Sequence, residues 1–331
     1  MEFIQPFITS VTKILILTSA GFILFRSRFA QEKVRKPVLW MAINILLPMY
    51  FIHSFSGAWK AALDTGGTGN IPGWALMLSF FIISLCMIAL QAGIGWLLTY
   101  KTNLIKTDRP FEMVMLFAVS NTGFIPFPIL APVVPKSFMV YMFFYILAFN
   151  LTIWSGLMPY LRRKAGTKGK TYKLNMPSAG IVAGAIIAAL DLYKHVPAPV
   201  QAVMHVSSNM ALDVILFVLG SILAGISLKN IRPLSEFKWH LGIKMVLFPA
   251  VVFSIAIFLP LSIFDSEIAS AMRLAWALEA VAPPATSLML ICAAVGSKEQ
   301  IDFMGSGILY TYMFSVITIP TFLILCAWLF Y

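Results

Sequence analysis

The sequence predicts an all-α integral membrane protein, with ten transmembrane helices arranged as two inverted five-helix repeats. Three observations predict it. The 331 residues are 60% hydrophobic and 11% charged, with a mean hydropathy of +0.89, whereas a soluble domain holds about 45–50% apolar and about 25% charged residues. The apolar residues fall in ten long runs. The basic residues collect in alternate gaps between those runs. So few charges cannot cover a water-facing surface, which excludes a water-soluble enzyme, a disordered chain and a nucleic-acid binder despite a net charge of +11.

A span needs about 20 mostly apolar residues to cross about 30 Å of hydrocarbon. The runs that qualify are 7–25, 38–57, 74–99, 111–134, 138–159, 178–193, 206–227, 243–260, 271–294 and 303–329. They are too long and too continuous for the alternating strands of a barrel, which leaves helices. The first run follows a segment with one Glu and no basic residue, and Arg26, Arg28, Lys33, Arg35 and Lys36 come after it. A signal peptide has the opposite order, so a retained helix with its N-terminus outside is expected.

Basic residues favour the cytoplasmic side. With the N-terminus outside, the inner gaps hold those five residues, then Lys101, Lys106 and Arg109. They also hold Arg162, Arg163, Lys164, Lys168, Lys170 and Lys173, then Lys229, Arg232, Lys238 and Lys298. The outer gaps hold only Lys60, Lys136 and Lys194, while Lys13, Lys244 and Arg273 fall within or at the ends of spans. This asymmetry supports ten spans with both termini on the non-cytoplasmic side of a cell membrane (plasma or inner).

The most basic gap divides the chain in half. Residues 1–160 form the first five-span repeat, 161–176 a short basic cytoplasmic loop and 177–331 the second repeat. An odd number of spans per half inverts the second relative to the first. Secondary transporters are often built this way, with the substrate site near the midplane at the repeat interface.

Spans four and nine carry matching interruptions: Ser120-Asn121-Thr122-Gly123-Phe124-Ile125-Pro126-Phe127-Pro128 and Glu279-Ala280-Val281-Ala282-Pro283-Pro284-Ala285-Thr286-Ser287. Proline removes a donor and clashes with the carbonyl four residues back. Freed backbone groups are tolerated in a bilayer only where they face protein or a water-filled cavity. Asn121 and Thr122 are therefore expected to meet substrate or backbone; the plainer alternative is that Asn121 only satisfies the broken helix. Gly123 allows close backbone approach. Half-helix N-termini after Pro126 and after Pro283-Pro284, the latter beside Thr286 and Ser287, offer N–H groups and positive dipole ends suited to an anion. Asn150 and Ser315, in weakly matching segments of spans five and ten, join the candidate site.

Glu279 and Asp213 are carboxyls deep in apolar runs, where ionisable groups are costly and functional by default. They are the candidates for coupling to H+ or Na+, the alternative being a structural bond or a partner such as Lys244. Glu112 and Asp302, at span ends, are expected to be solvated. Trp40, Trp59, Trp74, Trp154 and Trp328 fall where interfacial anchors belong. Cys86, Cys292 and Cys326 and the scattered histidines show no metal-ligand spacing, so neither a cofactor nor a metal is expected.

At these residues the chain resembles the auxin efflux carrier family, which includes plant auxin exporters and bacterial malate and malonate permeases. The resemblance rests on Leu46-Leu47-Pro48, Asn121-Thr122-Gly123 with the following prolines, Ala282-Pro283-Pro284-Ala285, and Thr311, Ser315, Thr318 and Pro320 at their spacing. It implies that helices four and nine are broken and cross each other. It further implies a scaffold of spans one, two, six and seven, which usually forms a homodimer contact, and a moving unit of spans three to five and eight to ten. The function so implied is secondary active transport of a small organic anion, a carboxylate, by elevator-type alternating access. The alternatives are a sodium-coupled carrier resembling the bile acid symporters, and a transporter-like membrane receptor or sensor. No arrangement suggests an enzyme.

Overall fold

The computed structural model describes residues 4–26, 32–64, 72–164, 175–261, 264 and 266–330. Arg28 and residues 165–174 of the basic central loop lie outside the described residues. Apart from one isolated antiparallel bridge, the regular structure among the described residues is helical.

Seven helices are long and apolar enough to cross a membrane: α1 (Gln5–Arg26), α2 (Val34–Leu63), α3 (Gly73–Lys101), α6 (Lys136–Arg163), α8 (Ala198–Ala224), α9 (Lys238–Phe258) and α12 (Lys298–Phe330). The protein is therefore a membrane protein by the length and apolarity of its helices. Large side chains such as Ile16, Ile23, Leu78, Phe258, Ile317 and Trp328 are exposed on the outer faces of these helices, as lipid contact requires. The remaining apolar runs give shorter pieces. α7 (Met176–Ala189) has 14 residues. Two runs are interrupted, into α4 (Pro110–Ala118) and α5 (Pro126–Leu130), and into α10 (Ser266–Val281) and α11 (Ser287–Val295).

Four of the long helices carry a wide π-type turn: Ala42–Leu46 in α2, Leu97–Lys101 at the end of α3, Thr152–Leu157 in α6 and Ile243–Leu247 in α9. The turns of α2, α6 and α9 are each followed two residues later by a proline, Pro48, Pro159 and Pro249. The ring cannot donate to the carbonyl four residues back and collides with it, so the preceding carbonyls re-register to the next N–H along. Such turns often sit at functional sites.

Close glycine contacts hold one layer together. α1 runs along α8, α2 runs along α7, and α2 also meets α8. A Cβ placed on Gly220 of α8 would lie 1.9 Å from the Thr18 carbonyl oxygen, and one on Gly21 of α1 would lie 2.0 Å from that of Phe217. The two backbones touch because neither glycine has a side chain. Against this layer, α3 packs with α4 and α6, while α10 packs with α9 and α12.

Polar contacts gather at one end. Arg26 donates to the carbonyls of Ala224 and Ile226 at 3.2 and 3.0 Å, supplying positive charge where α8 ends. In the connecting loops Arg232 donates to Asp108 at 2.8 Å, and Arg109 pairs with Glu299. The Arg232 guanidinium holds the Asp108 carboxyl below the usual carboxylate range. Contrary to expectation, Glu112 is not solvated: it is buried under α12 and accepts from Gln300. Trp40, Trp74 and Trp328 are exposed, as anchors would be, while Trp59 is packed against the core.

Gly220→Val is expected to destabilise the protein by about 1–3 kcal/mol or more, because the new side chain must push α1 away. Gly57→Ala, with nothing within 4 Å of the added Cβ, is the control. Thermal unfolding in detergent measures both, and equal melting of Gly220→Val and wild type would refute the backbone contact.

Candidate functional site

The two interrupted segments meet inside the molecule. Between α4 and α5 the chain leaves the helical path at Val119, and between α10 and α11 it does so at Ala282. The freed backbone groups then satisfy one another. Asn121 N–H donates to the Pro283 carbonyl at 2.7 Å, and Ala285 N–H donates to the Val119 carbonyl at 2.8 Å, around the antiparallel bridge of Ser120 and Pro284. This is a two-residue piece of sheet in a helical interior. It solves the problem the prolines create, since Pro283 and Pro284 cannot donate but their neighbours can.

Side chains on the bridge divide between two faces, as in any extended segment. On one face, Asn121 donates through Nδ2 to the Tyr312 hydroxyl of α12 at 2.5 Å and accepts from Phe124 N–H at 2.9 Å through Oδ1. The plainer expectation for Asn121, satisfying the break, is thus met by one of its contacts. On the other face, Ser120 Oγ accepts from Lys244 Nζ at 2.6 Å and donates to Gln91 Oε1 at 3.0 Å, while Lys244 also donates to Gln91. Lys244 has no exposed surface, and Glu279 of α10 is 2% exposed. Neither Glu279 oxygen has a hydrogen-bond partner.

A cavity of about 110 Å³ opens beside the bridge. Its polar lining is Asn121, Thr122, Asn150, Asn175, Thr286 and Ser287, and its aromatic lining is Tyr50, Phe51, Phe124, Phe127, Phe149 and Trp154. No lining side chain is ionised at neutral pH. The wide turns of α2 and α6 contribute Ile43 and Trp154. Asn175 is positioned by its own role as N-cap of α7, accepting from Ser178 N–H at 3.1 Å. Thr286 Oγ1 is buried without a partner at the start of the nine-residue α11. A buried hydroxyl left unpaired is costly, and here it borders the cavity.

The structure therefore brings together Asn121, Thr122, Gly123, Asn150, Thr286 and Ser287 around one space. Pro126, Pro283 and Pro284 are buried and shape the breaks without lining it. Three expectations meet a different arrangement. α5 is only five residues long, and Asn121 already takes the N–H of Phe124, so the first break offers no open helix end to an anion. Ser315 lines a separate apolar groove between α1, α8 and α12 and donates to the Tyr312 carbonyl at 2.7 Å. Asp213 is also elsewhere. Its side chain is 42% exposed and paired with Lys13 of α1 at 2.6 Å.

Gln91, Lys244 and Tyr312 were missing from the sequence-based site. Gln91 and Lys244 were readable as isolated polar residues in apolar runs. Tyr312 carried no such signal, because an aromatic residue in a span is ordinary. Compared with protein-family models and with curated proteins, the chain matches none.

Tyr312→Phe is expected to lower stability by about 1–3 kcal/mol, because it strands the buried Asn121 amide. Adding Asn121→Ala should then cost less than it does alone. A double-mutant cycle of unfolding free energies tests this, and strict additivity would contradict the bond.

Proposed function

We propose that this chain is a secondary active transporter of a small organic anion, a carboxylate, which binds at the paired helix breaks. The observation that carries the reading is the unpartnered Thr286 hydroxyl, buried at the N-terminus of α11 and bordering the cavity of amides, hydroxyls and aromatic rings. A spare hydroxyl at the positive end of a helix dipole suits an anionic oxygen. The Asn, Thr and Ser side chains around it supply further hydrogen bonds, and the aromatic rings supply an apolar wall.

In this reading the ten apolar runs are ten crossings in two inverted repeats, and the chain is a member of the auxin efflux carrier family, on the side of its bacterial permeases. The glycine-welded layer of α1, α2, α7 and α8 is the scaffold and homodimer contact. The helices carrying the breaks move against it as an elevator, exposing the cavity alternately to each side. Both termini face away from the cytoplasm, and the cell membrane is its place. Arg26, Arg109 and Arg232, which share one end of the structure, then lie together on the cytoplasmic side. H+ or Na+ supplies the driving force. The cavity volume, well below the about 300–1,000 Å³ of drug-sized sites, favours a small acid over the bulky ligand of a bile-acid-type carrier.

Uptake of radiolabelled mono- and dicarboxylates into proteoliposomes tests the function. Thr286→Val should weaken apparent affinity roughly tenfold, about one hydrogen bond's worth, and leave the melting temperature of the ligand-free protein unchanged or higher, because the hydroxyl has no protein partner to lose. Absence of uptake for every acid in wild-type liposomes, or equal affinities in the two proteins, would count against it.

A further inference from the structure

A second and larger cavity, of about 540 Å³, runs along the outside of the fold between α1, α8 and α12. Its walls are apolar, with Ile14 and Phe22 of α1, Leu219 of α8 and Met313 and Val316 of α12 among them. Two of its hydroxyls are turned to carbonyls, Thr18 to Leu216 at 3.4 Å and Ser315 to Tyr312 at 2.7 Å. Water finds few partners in such a space, and leaving it empty forfeits the contacts of every atom that lines it. The groove follows α1 from Val11 to Ile23, about 18 Å at 1.5 Å per residue. That is a little more than half of the about 30 Å hydrocarbon layer. Ile23, Met313 and Val316 are exposed along its lipid-facing edge.

One end of the groove carries surplus positive charge. Arg26 lies one turn beyond Phe22 and Ile23, and its Nη1 donates to the carbonyls of Ala224 and Ile226 where α8 ends. Arg35 reaches the same place from α2, for a Cβ added to Gly225 would collide with its Nη1. The end of one helix carries about half a negative charge, which two guanidinium groups more than offset. Among the described residues no carboxylate is paired with either arginine. The two bonds of Arg26 use Nη1, which leaves Nε and Nη2 as donors. A phosphate accepts from such a fork, and basic pockets between transmembrane helices are where acidic lipid head groups bind.

We propose that one acyl chain of an anionic phospholipid lies in this groove, with the lipid's phosphate on Arg26 and Arg35. The groove leads from that charge to the crossover. Its floor includes Ile125 of the first break and Tyr312, whose hydroxyl accepts from Asn121 at 2.5 Å. The chain therefore packs against the residue that tethers the bridge, and it fills the space between α1, α8 and α12. The site needs a bilayer and makes no demand on transport.

The test takes the full chain in detergent, stripped of lipid, and follows thermal unfolding with added phosphatidylglycerol, phosphatidylcholine of the same chains, or inorganic phosphate. Phosphatidylglycerol should raise the melting temperature of wild type by about 2–4 °C more than phosphatidylcholine, as a ligand that binds only the folded state does. Inorganic phosphate should leave it unchanged. Arg26→Gln/Arg35→Gln should melt alike in the two lipids. If that protein does not fold, Arg35→Gln alone, which keeps the Arg26 bonds to α8, should lose at least half of the difference. Val316→Trp fills the groove from its exposed edge and should respond less to phosphatidylglycerol than wild type does. Equal stabilisation of wild type by the two lipids would overturn the proposal, and stabilisation by phosphate alone would leave an anion site with no lipid. A Val316→Trp response equal to that of wild type would place the lipid elsewhere. A lipid-free wild-type dimer that Val316→Trp splits into monomers, measured by light scattering, would give the groove to a second copy of the chain and overturn it too.

Discussion

Two backbone hydrogen bonds, from Asn121 N–H to the Pro283 carbonyl and from Ala285 N–H to the Val119 carbonyl, occupy the position on which the surrounding structure depends. In hydrocarbon an unpaired peptide group costs several kcal/mol. Neither interrupted segment is affordable alone, since each exposes groups its own helix no longer satisfies. Paired, they satisfy each other, and the rest of the site is organised around the pairing. α12 comes in to present Tyr312 to Asn121, and α3 and α9 come in behind to present Gln91 and Lys244 to Ser120.

The pairing also separates charge from polarity. An extended segment sends neighbouring side chains to opposite faces, so Ser120 and Asn121 belong to different environments although they adjoin in sequence. Behind the bridge lies a buried lysine, Lys244, bonded to Ser120. In front lies a cavity lined by amides, hydroxyls and aromatic rings. A ligand in front is thus bound by dipoles and hydrogen bonds, with the buried charge screened from direct contact by the chain itself. Binding by oriented dipoles does not require a formal counter-charge beside the ligand, which would make release harder.

Several parts of this arrangement were legible in the residues. Pro126 and Pro283-Pro284 announced the breaks because proline's missing donor acts locally, whatever the fold. Asn121, Thr122 and Thr286 announced themselves as polar residues in apolar runs. Other parts were not. Lys244 stands at the edge of its apolar run in the sequence, yet α9 starts at Lys238, because an apolar run does not mark where its helix begins. Asp213 stands in an apolar run, but its side chain is half-exposed and paired with Lys13. α8 carries Gln201, His205, Asn209 and Asp213 at four-residue intervals along one side, and there Asp213 pairs with Lys13, away from the crossover. Ser315 sits on the side of α12 that faces the apolar groove.

The sequence by itself determined the solvent, the helices and the places where helices break. These follow from composition, run length and proline chemistry, which act within a few residues of one another. Only the tertiary structure decided which face of each helix turns inward, which break pairs with which, and that a buried lysine stands behind the pairing. Those outcomes depend on contacts between residues more than a hundred positions apart, such as Ser120 with Lys244 and Asn121 with Tyr312. A uniformly apolar helix carries no periodic signal of its orientation, because lipid and protein interior accept the same side chains.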